Sequence, residues 1–264
     1  MTAFRPLSAL TAEERDWIAS FLRGDNTLAL YFDTAIEDLA RGVENRLILI
    51  GREKRGLILG IAFAGLEVFS VVGRLDDAEL AIACTRPMPA ELHVTAETAD
   101  RLRPKIGTRL VAEHAMRIET CTIGTRAPDP QRAFDPLCRI MSRDDAERLT
   151  AFYQAHNPRN VFSPWMLEHS FLAVVEQGEI IAGAGVLALS HRLDRALIGN
   201  FLTRPDQRGR GLARRVGESL LAELARNGIG HAALVTTDAN SAARRVYHGL
   251  GFALAEARVE LDLE

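Results

Sequence analysis

Pro128, Pro130 and Pro136 fall within one short stretch, TRAPDPQRAFDP (residues 125–136). Proline fixes φ and removes a backbone donor, so such a cluster ends helices and interior strands and reads as a connector. It leaves about 125 residues on either side, each the size of a domain. The two sides repeat one order of elements. Thr11-Ala-Glu-Glu14 is a capping box, followed at helical spacing by Trp17, Ile18, Phe21 and Leu22, with Gly24 as a stop. Ser142-Arg-Asp-Asp145 offers a looser box, followed by Leu149, Phe152 and Tyr153, and Phe21 and Phe152 stand at equal distances from their caps. Residues 47–65 and 171–189 then share a plan of strand, polar turn and strand. The expectation is an α/β chain with a mixed sheet and two domains, 1–127 and 137–264. An old tandem duplication explains the repeat; two unrelated α/β domains, in which hairpins are common, are the alternative.

Composition narrows the class. At 264 residues, 47% hydrophobic and 25% charged, the chain has the make-up of a globular protein and not of a disordered, collagen-like or mucin-like one. Thirty-two basic against 35 acidic residues give a formal charge of −3. No global basic excess recruits nucleic acid, so any anion site is local. Cys84, Cys121 and Cys138 show no zinc-type spacing, which predicts free thiols, a reducing compartment and no metal. The N-terminus lacks an uninterrupted apolar stretch, and Gly56–Val72 reads as two buried strands rather than a membrane span. A cytoplasmic protein with no membrane partner is expected.

The second half resolves further. Residues 137–141 read as a short strand. Ser163-Pro164 opens a short helix, with serine as cap and proline at the first position. The 195–203 strand leads into RPDQRGRG, and a helix follows with Leu212, Val216, Leu220, Leu221 and Leu224 on one stripe, ended by Asn227-Gly228. HAALVTT (231–237) is a strand, Asn240 to His248 a helix, and 252–263 a terminal strand or strand pair.

The segment Leu202–Ala213 carries chemistry. A strand runs into a glycine-bearing turn that opens a helix, which exposes backbone N–H groups at the positive end of a helix dipole. Gly209 and Gly211 remove Cβ atoms where an anion must approach, and Arg204, Arg208, Arg210, Arg214 and Arg215 add positive charge. The turn is neither GxxxxGK[ST] nor GxGxxG, since Arg214 stands at the third glycine position. A pyrophosphate on another carrier fits; a helix end with a solvated arginine cluster is the alternative.

Arg208-Gly-Arg-Gly211-Leu-Ala213 resembles the acyl-CoA pyrophosphate loop of the GNAT superfamily of N-acetyltransferases, whose pattern is Arg/Gln-x-x-Gly-x-Gly/Ala after a strand. Asn240-x-x-Ala243-x-x-x-Tyr247-x-x-x-Gly251-Phe252, about thirty residues on, resembles that family's second CoA motif. The resemblance covers residues 137–264, and the IGNFLT strand (198–203) is similar to the glycine N-acyltransferase branch. It implies tandem GNAT-like domains, each a mostly antiparallel twisted sheet flanked by helices. It implies acetyl-CoA as cosubstrate of the C-terminal domain. Phe201, Leu202 and Thr203 would pair with pantetheine, where a bulge splays their strand from HAALVTT. The N–H groups of Arg208, Gly209, Arg210, Gly211, Leu212 and Ala213 would hold the pyrophosphate. Asn240 would bond the pantetheine arm, and Tyr247 would protonate the departing thiolate.

The expected general base is missing. Many family members carry a glutamate on the strand before the loop, and RALIGNFLT has none. Asn200 could position a water, and Asp194, Asp238, His191 and His248 lie near in sequence. Without a base, deprotonating a lysine-type amine at pH 7 costs about 4.6 kcal/mol, against about 1.4 for an α-amine. The acceptor expected is therefore an amine of low pKa, on a small molecule or a protein N-terminus. In the first half, Leu92–Gly107 stands where a pyrophosphate loop is expected and carries no RxxGxG, which points to a degenerate copy that walls the acceptor site. Such a tandem chain would be a monomer with an internal pseudo-dimer, or a homodimer. The competing class is a non-catalytic acyl-CoA-binding sensor.

Overall fold

The computed structural model describes residues 3–24, 26–44, 46–62, 66–85, 89–124, 135–157 and 162–264; the side chain of Asn26 and residues 125–134, which hold Pro128 and Pro130, lie outside this description. The chain forms two units. One comprises residues 1–117, 237–239 and 256–264, the other 118–236 and 240–255.

The first unit begins with the short strand β1 (Arg5–Pro6) and helix α1 (Ala12–Phe21). Thr11 caps α1 through the expected reciprocal box with Glu14. A 3-10 turn (Leu22–Gly24) then leads into a second helix, α2 (Asn26–Ala40), so Gly24 does not end the helical region. Sequence reading passed over α2. Strands β2 (Arg46–Ile50), β3 (Gly56–Ala62) and β4 (Glu67–Gly73) form an antiparallel meander. Helix α3 (Asp77–Cys84) returns the chain to β5 (Ala90–Val94), parallel to β4, and α4 (Ala96–Ile106) follows.

Strands β2 to β4 are apolar at most positions because helices cover both faces, while β5 alternates, with Glu91 and His93 on the face away from α3 and α4. Ile48, Leu57 and Leu59 pack with Ile18 of α1, Leu22 of the 3-10 turn and Phe32 of α2. Leu49, Ile58, Phe69 and Leu92 face the other way, onto Leu80, Leu102 and Ile106 of α3 and α4. The last strand of the chain, β12 (Ala253–Leu263), is one strand and not a pair. It lies antiparallel to β5, with Leu261 opposite Leu92.

The second unit contains the end of β6 (Leu110–Thr122), then β7 (Cys138–Ile140), α5 (Ala146–His156), β8 (Phe171–Glu176), β9 (Glu179–Ser190), β10 (Arg195–Thr203), α6 (Leu212–Arg226), β11 (His231–Thr237) and α7 (Ser241–Gly249). Strand order is β7-β8-β9-β10-β11-β6, with β10 and β11 parallel and β7 to β10 antiparallel. The Ser142 box forms. Ser163 caps a 3-10 turn (Pro164–Glu168) without a side-chain hydrogen bond. The predicted stripe of α6 packs on Val174, Ala184, Ile198 and Leu234.

The repeat has a structural counterpart: in each unit a parallel strand pair encloses a turn and a helix. The turn in the first unit is Arg74–Asp76, between β4 and α3, and not the expected Leu92–Gly107, which form the end of β5, α4 and its Gly107 cap.

Gly185 shows how tightly β8 and β9 meet. It is paired with Phe171, and a Cβ built on it would lie 2.0 Å from that ring. Gly185→Ala is expected to destabilise the protein by about 1–3 kcal/mol, as overpacking does. Denaturant melts of the two proteins check this.

Candidate active site at the parted strands

The site begins where β10 leaves its neighbours. Parallel pairing with β11 runs from Arg195–His231 to Leu197–Ala233. On the other side, the register with β9 slips between Leu197 and Ile198, and again between Gly199 and Leu202. Asn200 and Phe201 therefore form a bulge, and Asn200 has φ of 55°. Three contacts fix it. The buried Tyr153 hydroxyl donates to the Asn200 carbonyl at 2.5 Å. The Asn200 amide nitrogen donates to Met166 Sδ at 3.2 Å. Phe201 packs edge-on against Tyr247, with centroids 5.2 Å apart. The predicted splay between β10 and HAALVTT is thus in place.

Beyond the bulge, the Thr203 hydroxyl oxygen is buried and has no hydrogen-bond partner among the described residues. The loop continues through a 3-10 turn (Pro205–Gln207) to Gly211, the cap residue of α6. Gly209 and Gly211 have φ of 79° and 74°, a region that strains any side chain, and no atom lies within 4 Å of a Cβ built on either. Positive φ demands glycine here, and the flank beside the backbone is open. The first turn of α6 leaves its N–H groups without intrahelical acceptors.

The arginines are arranged otherwise than their number implies. Arg204 binds Asp206 through two bonds of 2.7 and 3.0 Å. Arg210 reaches Glu176 on β8 at 2.7 Å, and this bond holds the Glu176 carboxyl below its usual range. Arg214 pairs with Glu218 and Arg215 with Asp135. Arg208 donates weakly, at 3.5 Å, to the Thr203 carbonyl. Positive charge at the turn therefore rests on main-chain donors and Arg208 more than on the full cluster.

Asn240 Oδ1 accepts from Ala243 N–H at 3.2 Å and so caps α7. Tyr247, one turn on, is buried; desolvation first, and the nearby Glu119 charge second, push its phenol well above the ordinary value. Of the candidate bases, Asp194 accepts from Gly230 N–H, and Asp238 pairs with Arg117 at 2.9 Å. Both are structural.

Sequence reading missed two groups. Tyr153 had been read as helix stripe, and a buried tyrosine gives no signal in sequence of the carbonyl it serves. Glu119, buried on β6, was assigned to the first half because strand pairing across 100 residues leaves no local pattern.

A model of the acetyltransferase (GNAT) family matches residues 137–252. A Drosophila protein of known structure is similar at 14% identity and a TM-score of 0.74, over 100% of this chain and 99% of that one. A GCN5-related N-acetyltransferase-like protein from Streptococcus suis gives 15% and 0.69, over 96% and 99%. A GCN5-related N-acetyltransferase from Sphaerobacter thermophilus gives 12% and 0.61, over 98% and 95%. At such identities the likeness is one of fold. No curated protein matches the sequence. Among the described residues, no helix is long and apolar enough to cross a membrane.

The chain has three tyrosines. Burial raises all of their phenol pKa values: Tyr31 to about 12, Tyr153 and Tyr247 further. A proton held more tightly in the folded state means that stability is full below pH 10 and falls as pH climbs through the folded values. Ultraviolet titration of the native protein should show little phenolate at pH 10 and a cooperative rise on alkaline unfolding. Normal titration of all three near pH 10 would refute this burial.

Proposed function

We propose, from the match of residues 137–252 to the GNAT acetyltransferase family, that the chain is an acyltransferase that moves an acetyl group from acetyl-CoA to a primary amine in a ternary complex. The observation that carries the reading is the glycine turn opening α6 beside the parted strands β10 and β11.

The residues present suit this ligand. Open space beside Gly209 and Gly211 lets a diphosphate approach the main chain, where the N–H groups of Gly209 to Ala213 bind it, with the helix dipole behind them; the Arg208 N–H, expected among them, donates instead to the Pro205 carbonyl. The orphaned Thr203 hydroxyl and the backbone of Phe201 and Leu202 lie along the expected course of the pantetheine arm. Asn240 offers its amide nitrogen, since Oδ1 serves the helix cap. The thioester supplies an activated acyl carbon. A backbone N–H at the Asn200 bulge stabilises negative charge on the acyl oxygen. The neutral amine attacks the acyl carbon and the C–S bond breaks; Tyr247, which burial keeps protonated, donates its proton to the leaving sulfur, and the proton shed by the amine nitrogen returns through water to the phenolate. Asn200 positions a water or the amine.

The first unit is proposed as a degenerate copy that does not bind CoA. At its corresponding turn, Asp76 and Glu79 bond each other's N–H groups at 2.8 Å, and Asp77 adds charge. Carboxylates thus occupy the donors and oppose a phosphate. One CoA per chain follows, and two would overturn the assignment. The proposed location is cytoplasmic, consistent with the free thiols of Cys84, Cys121 and Cys138.

Gly211→Glu places a carboxylate at the proposed diphosphate site. Calorimetry should show CoA binding lost, with circular dichroism unchanged; unaltered binding would exclude this turn.

Release of CoA thiol with a panel of amines tests the reaction. α-Amines of low pKa should be preferred to lysine-type amines, because no carboxylate lies on β10 to take the proton. Tyr247→Phe should lower kcat by about 10–100-fold with CoA affinity nearly unchanged. The second reading, a non-catalytic acyl-CoA sensor, draws on the same missing carboxylate. Binding without thiol release on any amine would favour it.

A further inference from the structure

His93, on β5 of the first unit, has a buried Nε2 that makes no hydrogen bond among the described residues. Carboxylates nevertheless surround it. Glu260 Oε2 is 3.5 Å away and Glu91 Oε2 3.9 Å. Strand register brings these groups together: β12 runs antiparallel to β5 with Glu260 opposite His93 and Asp262 opposite Glu91. All four project from one face, because the alternate residues Leu92, Val94, Leu261 and Leu263 fill the core on the other. The neighbouring strand β6 adds His114, whose Nε2 is 3.6 Å from Asp262 Oδ2.

Ligating atoms of Glu91, His93 and Glu260 lie within 4.8 Å of one another, as do those of His114, Glu260 and Asp262. Glu260 belongs to both groups. The separations of 3.5 and 3.6 Å exceed an ordinary hydrogen bond. They fit two ligands on one ion: metal–ligand bonds of about 2.0–2.2 Å give a tetrahedral edge of roughly 3.3–3.6 Å. Imidazole nitrogen with carboxylate oxygen suits zinc-like transition ions better than magnesium or calcium, which prefer oxygen alone.

We propose that Glu91, His93 and Glu260, with His114 and Asp262 joined through Glu260, bind a divalent transition ion that ties the last strand of the chain to β5 and β6. The expectation of no metal rests on cysteine spacing, which does not report ligands brought together across strands. Cross-strand ligands from positions 91 and 260 have no sequence signature. The site uses no residue of the proposed acyl-transfer site and stands or falls apart from it. The competing arrangement is a set of imidazolium–carboxylate ion pairs.

Full-length protein stripped with EDTA is titrated with Zn²⁺, read by calorimetry and thermal melting, with Co²⁺ absorption as a coordination signature. One or more zinc ions should bind and raise Tm, and Co²⁺ should give a visible band. Glu260→Gln, nearly isosteric, and His93→Gln should each weaken zinc binding by more than about tenfold and remove the Tm gain, with far-ultraviolet dichroism unchanged. Magnesium should not substitute. The absence of zinc binding, or zinc binding that survives both substitutions (adventitious coordination by other histidines or cysteines), or equal stabilisation by Mg²⁺, would overturn the site.

Discussion

The bond from the Tyr153 hydroxyl to the Asn200 carbonyl is the constraint that holds the bulge in β10. A strand held straight would pair with β11 along its whole length and leave no gap. Asn200 adopts φ of 55°, which costs on the order of 1 kcal/mol for a residue with a side chain. A hydrogen bond from a buried phenol offsets a cost of that size. Glycine makes the arrangement sterically feasible: a Cβ on Gly183 would lie 3.2 Å from the Tyr153 oxygen, and one on Gly199 would lie 2.6 Å from Leu187. The small residues of β9 and β10 read in the sequence as a glycine-bearing strand pair, and in the structure they are the room into which the bulge fits.

The elements themselves were legible because each rests on local physics. The Thr11 and Ser142 boxes, the α6 stripe and the helix after Asn240 are properties of four to fifteen consecutive residues, and all formed. Pairings across long separations were not legible. Glu176 meets Arg210 from 34 residues away, and β12 joins β5 from more than 160 away. Alternation in residues 253–263 announces a strand but says nothing of the sheet it will enter, since any edge with the matching pattern satisfies it. The position of the first unit's turn was misplaced for the same reason. Only the parallel pairing of β4 with β5 identifies Arg74–Asp76 as the counterpart of the glycine turn.

Two helices with the same topological place thus differ in what fills their first turn. At α3 the donors meet carboxylates of the chain itself, in a capping box that completes the helix. At α6 the cap residue is Gly211, which has no side chain to accept from the first turn. A closed cap stabilises its helix by about 1 kcal/mol; an open one forgoes that and keeps its donors for a ligand. The contrast explains why the arginines near α6 are paired off. Unpaired, they would favour any anion without geometric selection. Bound to Asp206, Glu176, Glu218 and Asp135, they would leave the main-chain donors of the proposed site to discriminate by shape.

Strand β12 carries the same economy further. Its odd-numbered residues Leu261 and Leu263 seal the core under α3 and α4, while Glu260 and Asp262 face the opposite way beside His93 and His114. Hydrophobic burial alone fixes which face points inward, but a slide by two residues would preserve that facing. Polar groups with a geometric preference break this degeneracy: shifting β12 by two would carry Glu260 away from His93. The charged face thus adds a preference that the apolar face lacks, for the register in which Glu260 stands opposite His93 and Asp262 opposite Glu91.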